Sequence, residues 1–252
     1  MSLVEEYKRQ FAWRSWPTIF DALPSLQGHT VLDLGCGPGD LSAEFVARGA
    51  RVVGVDLNEE LLAHARSRQL AGAEFRVGDL RMFPDLGIAA DGLWCSFTAA
   101  YFPDLTAALA AWARNVKPGG WIAITEVDDL FGHDPLSART TSLLTTWANA
   151  ARAAGYDCLM GRKLRDHLQS SGFTVSKMLR LEDQELSFSG PARPDVLDAW
   201  RLRFSRMGLL RDICGPNFDE VREEFLGCLM RADHNSLAKV YCCIANKGRV
   251  HV

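Results

Sequence analysis

The stretch Val31–Ser42, VLDLGCGPGDLS, decides how this 252-residue chain is read. Val31, Leu32 and Leu34 supply the apolar run of a short buried strand. Gly35, Gly37 and Gly39 follow, where a backbone without Cβ atoms takes positive φ and comes close to a ligand. Leu41 to Arg48 has a helical pattern, and Gly49 stands where a left-handed residue closes a helix. Arg51 to Asp56, RVVGVD, is then a second apolar strand ending in a carboxylate. The unit is strand, glycine loop, helix, strand, acid. A dinucleotide fingerprint needs G-x-G-x-x-G, but here the third glycine comes one residue early and Asp40 occupies its place.

What stands in this stretch is D-x-G-x-G-x-G, led by Asp33, and in this the chain resembles the class I S-adenosylmethionine (SAM) dependent methyltransferases. The resemblance implies that Gly35, Gly37 and Gly39 wrap the methionine part of SAM, with Asp33 near its ammonium and Asp56 holding both ribose hydroxyls. Three later stretches resemble the family in the right order. Residues 74–84, EFRVGDLRMFP, place Asp79 to accept from the adenine amine and the Leu80 backbone N–H against the ring. Residues 91–104, DGLWCSFTAAYFPD, resemble the fourth strand with its active-site loop, and residues 116–126, VKPGGWIAITE, carry the family's KPGG turn before an apolar strand. Leu57 and Ser96 complete the implied cofactor set, and S-adenosyl-L-homocysteine is the implied product. The resemblance is close over residues 30–127 and loose in the flanks. It implies an α/β fold, a doubly wound, mostly parallel sheet of seven strands with the last antiparallel.

Length and composition bound the rest. The chain is long enough for one domain with insertions: an N-terminal helical lid (1–27), a SAM-binding core (28–127), and two helical insertions (128–160 and 189–236) forming a substrate cap. A net charge of -3, with 48% apolar and 23% charged residues and no basic block, points away from nucleic acid and toward a small-molecule acceptor. No apolar run is long enough to span a membrane. Glu5, Glu6, Lys8, Arg9 and Arg14 break up the first twenty residues, so neither a signal peptide nor a membrane partner is expected, and the expected location is cytoplasmic. Seven cysteines without a C-x-x-C pair read as buried apolar residues, and no metal is assigned. The oligomeric state is left open.

In the flanks, residues 3–22 read as helices broken at Pro17, with Tyr7, Phe11, Trp13 and Trp16 as an aromatic stripe that is either core or, as the family implies, part of a lid. On the second reading Gln10, Trp13 or Arg14 touches SAM, Arg14 through its carboxylate. Asn58 is an N-cap for a helix to Arg68, and residues 99–115 are helix-rich and cover the sheet opposite the first helix. Beyond Glu126 the pattern gives helices around 136–154 and 161–171, a strand over 173–188, helices around 196–210 and 218–232, and a last strand over 239–246.

Ligands of such sheets bind beyond the carboxyl ends of the strands, which collects Gly35, Asp56, Ser96, Phe97 and Glu126 at one crevice. Methyl transfer from a sulfonium is an in-line displacement, in which holding the two partners in line is worth roughly 7 to 11 kcal/mol. A hydroxyl acceptor also needs a base. Glu126, Tyr101 and His133 are the leading catalytic candidates, with Asp128 and His234 beside them. Three alternatives remain open at this point: a SAM-binding protein without methyl transfer, a macromolecule methyltransferase, and a nicotinamide oxidoreductase, the last disfavoured by the glycine spacing.

Overall fold

A computed structural model describes residues 2–83 and 85–248. Pro84, which closes the EFRVGDLRMFP stretch, and residues 249–252 lie outside the described residues. The chain begins with α1 (Leu3–Ala12), whose Ser2 side chain and Glu5 form a reciprocal capping box, and α2 (Trp16–Phe20). It then alternates β1 (Thr30–Leu34), α3 (Asp40–Ala47), β2 (Arg51–Asp56), α4 (Glu59–Ser67), β3 (Ala73–Val77), β4 (Ala90–Ser96), α5 (Leu105–Trp112) and β5 (Val116–Asp128). Short β6 (His133–Asp134), α6 (Ala138–Ala153), α7 (Leu164–Ser170) and β7 (Phe173–Leu181) follow. The chain continues with α8 (Pro194–Arg206), α9 (Gly208–Cys214), α10 (Phe218–Leu229), short β8 (Asn235–Ser236) and β9 (Lys239–Lys247).

Seven strands form one sheet in the order β3-β2-β1-β4-β5-β9-β7. The first five pair in parallel, and β9 runs antiparallel to both β5 and β7. Successive side chains of a strand face opposite sides, so Val31 packs with Phe45 of α3, Trp94 and Trp121. Leu32 and Leu34 pack with Leu105, Leu109 and Trp112 of α5 on the other face. This is the doubly wound arrangement expected from the sequence, with α3 and α5 on opposite faces. Asn58 caps α4 as expected, accepting from Leu61 N–H at 3.1 Å.

Several boundaries differ from the sequence reading. The N-terminal break comes before Pro17, which sits in the first turn of α2 where its missing N–H costs no helical bond. KPGG is no turn ahead of the strand. It lies within β5 as an irregularity, the register stepping from Ala90↔Val116 to Gly92↔Trp121. The strand expected over 173–188 ends at Leu181, because Asp183 turns inward and accepts from Glu185 and Leu186 N–H. The helix expected over 196–210 is broken at Met207 into α8 and α9.

The residues read as lid and cap share a core with one face of the sheet. Phe131 sits among the helices α6, α8 and α10, its ring 5.1 to 5.8 Å from those of Trp147, Trp200, Phe204 and Phe225. Trp13 and Trp16 are buried in the same continuous cluster. All seven cysteines are free and buried.

Candidate functional site

A cavity of about 1070 Å³ opens at the carboxyl ends of β1, β2, β4 and β5 and continues beneath α1 and α8. That exceeds the range of about 300 to 1,000 Å³ usual for one small ligand. At one end lies the glycine loop. Gly35 and Cys36 both donate their N–H groups to Val55 O, at 2.8 and 3.1 Å, which turns the chain back over β2. The three loop glycines have φ of 73°, 52° and 78°. A Cβ on Gly35 would lie 2.1 Å from Thr98 Oγ1, and one on Gly39 would lie 3.1 Å from Ala65, so these two positions are closed by packing. Gly37 faces the cavity and the Tyr7 ring, which an added Cβ would meet at 3.5 Å.

Asp56 supports this loop and faces the cavity. Its Oδ2 accepts from Gly37 N–H and its Oδ1 from Asn58 N–H, both at 2.8 Å. Each oxygen keeps a second acceptor site, which matches a vicinal diol. Leu57, Asp79, Leu80 and Ser96 also line the cavity. Asp79 accepts from Arg81 N–H and pairs with its guanidinium at 2.8 Å. Ser96 Oγ is buried with no hydrogen-bond partner among the described residues. Phe97 beside it holds φ of 52°, a backbone strain of about 1–3 kcal/mol that tends to occur at ligand sites.

Two cofactor expectations are corrected. Asp33 is 2% exposed and lies outside the cavity lining, beneath the glycine loop, where Ser42 Oγ donates to it at 2.6 Å. Burial raises its pKa to about 7. Gly39 likewise does not line the cavity; it precedes α3 and lets Ala65 and Phe75 pack close. Arg14 does line it, but its guanidinium is already engaged. Nη1 bonds both oxygens of Asp183 at 2.8 and 2.6 Å, Nη2 bonds Glu185 at 3.0 Å, and the group lies 4.6 Å over the Phe97 ring. Gln10 and Tyr7 of α1 reach the cavity, while Trp13, just past the end of that helix, is buried away from it.

Of the five candidate bases, only Glu126 and Tyr101 line the cavity. Glu126 is 1% exposed, accepts from Ala100 N–H at 3.0 Å and Val127 N–H at 3.2 Å, and is raised by burial to about 7. The Tyr101 ring stands 5.1 Å from that of Tyr156. His133 is corrected as a catalytic candidate. It is buried in the cap, where its Nδ1 lies 2.9 Å from His234 Nε2, and His234 Nδ1 meets Gly190 O at 2.8 Å. Asp128 is paired with Arg162 outside the cavity.

Sequence reasoning missed Tyr156 and Arg203, which line the same cavity. Tyr156 follows Gly155 at the end of α6, and Arg203 reads as one more charged residue of an amphipathic helix. Only the fold brings them to the crevice. Among the described residues, no group of three or more His, Cys, Asp or Glu side chains is placed to hold a metal.

Residues 31–120 match a family described as a methyltransferase domain. Over 109 residues the chain is 37% identical to malonyl-acyl-carrier-protein O-methyltransferase of Salmonella typhimurium, the match covering 42% of this chain and 43% of that protein. It is 35% identical over 109 residues to ubiquinone biosynthesis O-methyltransferase of Leptothrix cholodnii, covering 41% and 46%. The chain thus matches less than half the length of these relatives. Among solved structures, an S-adenosylmethionine dependent methyltransferase from Mesorhizobium loti superposes with a TM-score of 0.55 at 20% identity, covering 92% of this chain and 97% of that one. Geranyl diphosphate C-methyltransferase from Streptomyces coelicolor, solved with S-adenosyl-L-homocysteine, gives 0.55 at 18% identity, covering 92% and 77%. These likenesses carry the fold alone. Residues 31–120 are thus similar to a methyltransferase domain, and the sheet has the strand order of the Rossmann-like methyltransferase fold.

Proposed function

We propose that the protein transfers a methyl group from SAM to a small-molecule acceptor enclosed between the sheet, α1 and the cap. The observation that carries this is one continuous cavity lined by two chemically different sets of residues. It is lined by Gly37, Asp56, Asp79 and the unpartnered Ser96 Oγ and also by Glu126, Tyr101, Tyr156 and Arg203. Bound SAM supplies a methyl on a sulfonium, whose C–S bond breaks with the electron pair staying on sulfur as an acceptor lone pair forms the new bond.

The chain's own work is binding, orientation and exclusion of water. Asp56 accepts from the ribose hydroxyls, and Gly37 leaves room for the cofactor beside the Tyr7 ring. Glu126 takes the acceptor's proton: it is deprotonated in the upper part of the neutral range and held by two backbone N–H groups. Such proton transfer contributes typically 10² to 10⁴ in rate. The relatives with O-methyltransferase names support an oxygen acceptor.

The test is release of S-adenosyl-L-homocysteine on incubation with SAM and small-molecule extracts, compared with the Asp56→Ala variant. We expect acceptor-dependent release, and a loss of about 1.5–3 kcal/mol in SAM binding for the variant. Unchanged SAM affinity in Asp56→Ala contradicts the ribose assignment. No acceptor-dependent release, despite SAM binding, contradicts methyl transfer.

A further inference from the structure

Several hydrogen-bond donors that line the cavity have no acceptor among the described residues, from Tyr7 over the glycine loop to Tyr101, Tyr156 and Arg203. Tyr7 comes from α1, Tyr101 from the turn after β4, and Tyr156 from the segment after α6, and all three line the cavity. No hydrogen bond joins any of the three hydroxyls to another described residue. Arg203 lines the same space. Its Nη2 donates to Glu185, while its Nε is buried with no partner. Glu185 is shared, since Arg14 Nη2 also bonds it at 3.0 Å. The remaining neighbour of Arg14, Asp183, is taken up by Arg14 itself. Arg206, one turn along α8, is neutralised by Glu6 of α1.

A buried guanidinium N–H without an acceptor is costly unless a ligand brings the missing oxygen, and the solvent-reachable hydroxyls of Tyr7 and Tyr101 are free to donate to the same ligand. A carboxylate brings acceptors only, and its planar shape matches a guanidinium. The phenols keep their protons in neutral solution, because burial raises the pKa of Tyr7 to about 12 and raises those of Tyr101 and Tyr156. They therefore remain donors. Glu126 lines the same cavity with no cation paired to it, and its charge would repel a carboxylate placed directly against it. The two functions must therefore occupy different parts of the acceptor.

We propose that the acceptor is a carboxylic acid, its carboxylate held by Arg203 and by tyrosine hydroxyls of Tyr101 and Tyr156, with the group to be methylated turned toward Glu126. This deepens the methyl-transfer reading and rests on it. The carboxylate acts as an anchor that fixes which atom of the acceptor faces the methyl group. It takes no part in bond making.

The experiment measures binding of matched neutral and anionic probes to protein saturated with S-adenosyl-L-homocysteine. The probes are benzoate, phenylacetate and hexanoate, each against its primary amide, titrated calorimetrically. The variants are Arg203→Lys, which keeps a cation beside Glu185 but removes the planar N–H pair, and Tyr156→Phe. We expect at least one acid to bind tenfold or more tightly than its amide, that preference to fall at least fivefold in Arg203→Lys, and S-adenosyl-L-homocysteine affinity to stay within twofold of wild type. Absence of any acid-over-amide preference across the series overturns the proposal, as does a preference that survives in both variants. A tenfold loss of S-adenosyl-L-homocysteine affinity in Arg203→Lys also overturns it, because it assigns the guanidinium to the cofactor's own carboxylate. Failure of wild-type protein to bind S-adenosyl-L-homocysteine is a failure of the methyl-transfer reading instead, and the acid and amide pairs then report on Arg203 with the protein alone.

Discussion

Glu126 combines deep burial with no cationic partner, and both matter for its chemistry. Burial raises its carboxyl to about 7 from the ordinary 4.5, so it is protonated in mild acid and becomes a base as the pH rises through neutrality. If it takes the acceptor's proton, turnover climbs with pH across that range, and Glu126→Gln lowers turnover by about 10² to 10⁴. A steady-state pH profile checks this; an acid limb that persists unchanged in Glu126→Gln contradicts it. His133 titrates in the opposite sense. Burial lowers its pKa to about 3 from 6.5, so it stays neutral in the folded protein while the unfolded chain takes up a proton below 6.5. Stability is therefore full above 6.5 and is lost as the pH falls from there toward 3, by at most about 1.4 kcal/mol per pH unit. Asp33 and Glu126, both raised to about 7, act the other way, losing stability as the pH rises from about 4 to 7. Denaturant unfolding of His133→Gln isolates the histidine: its stability should fall less steeply below pH 6.5 than that of wild type. An equally steep acid loss removes His133 from the account. At this scale the sequence was legible where a motif position lines the cavity, as at Asp56 and Asp79. It misled at Asp33, whose motif position says nothing about the Ser42 hydroxyl beneath the loop that accounts for the carboxylate.

The segment after β7 shows why some elements were harder to read. The sequence LEDQELSF has four polar residues in a row, Glu182 to Glu185, which look solvent-facing, yet Asp183 and Glu185 are buried at 2% and 0% exposure. Their inward turn is stabilised by Arg14, from the other end of the chain, and by Arg203 of α8. No local pattern announces a partner about 170 residues away. The arrangement ties the N-terminal segment to the strand exit and the cap, and truncating one member leaves buried charge unpaired. Arg14→Ala should cost about 3–5 kcal/mol of folding stability. A loss below about 1 kcal/mol in chemical denaturation would show that Asp183 and Glu185 rehydrate, and that the segment is not held in this way. By contrast, α4 and α3 were legible because their signals are local: an Asn58 cap, first-turn acids, and apolar residues at helical spacing.

Across the whole molecule, strand alternation with glycine-marked turns carried the reading of a seven-stranded doubly wound sheet, because each β-α step is coded within about thirty residues. The cavity was legible only at its floor, where strand ends must converge. Its roof depends on how α1 and α8 meet over the sheet, through Glu6–Arg206 and the Tyr7 ring above Gly37, which are tertiary events. The central claim, that this floor and roof enclose an S-adenosyl cofactor, is tested most directly by a thermal-shift series with SAM, S-adenosyl-L-homocysteine and NAD. At a hundred times its dissociation constant a specific ligand adds about 2.7 kcal/mol, a rise of about 5–10 °C for a chain of this size. We expect that rise for both adenosyl ligands and none for NAD. Stabilisation by NAD alone, or by none of the three in protein freed of bound cofactor, would contradict it.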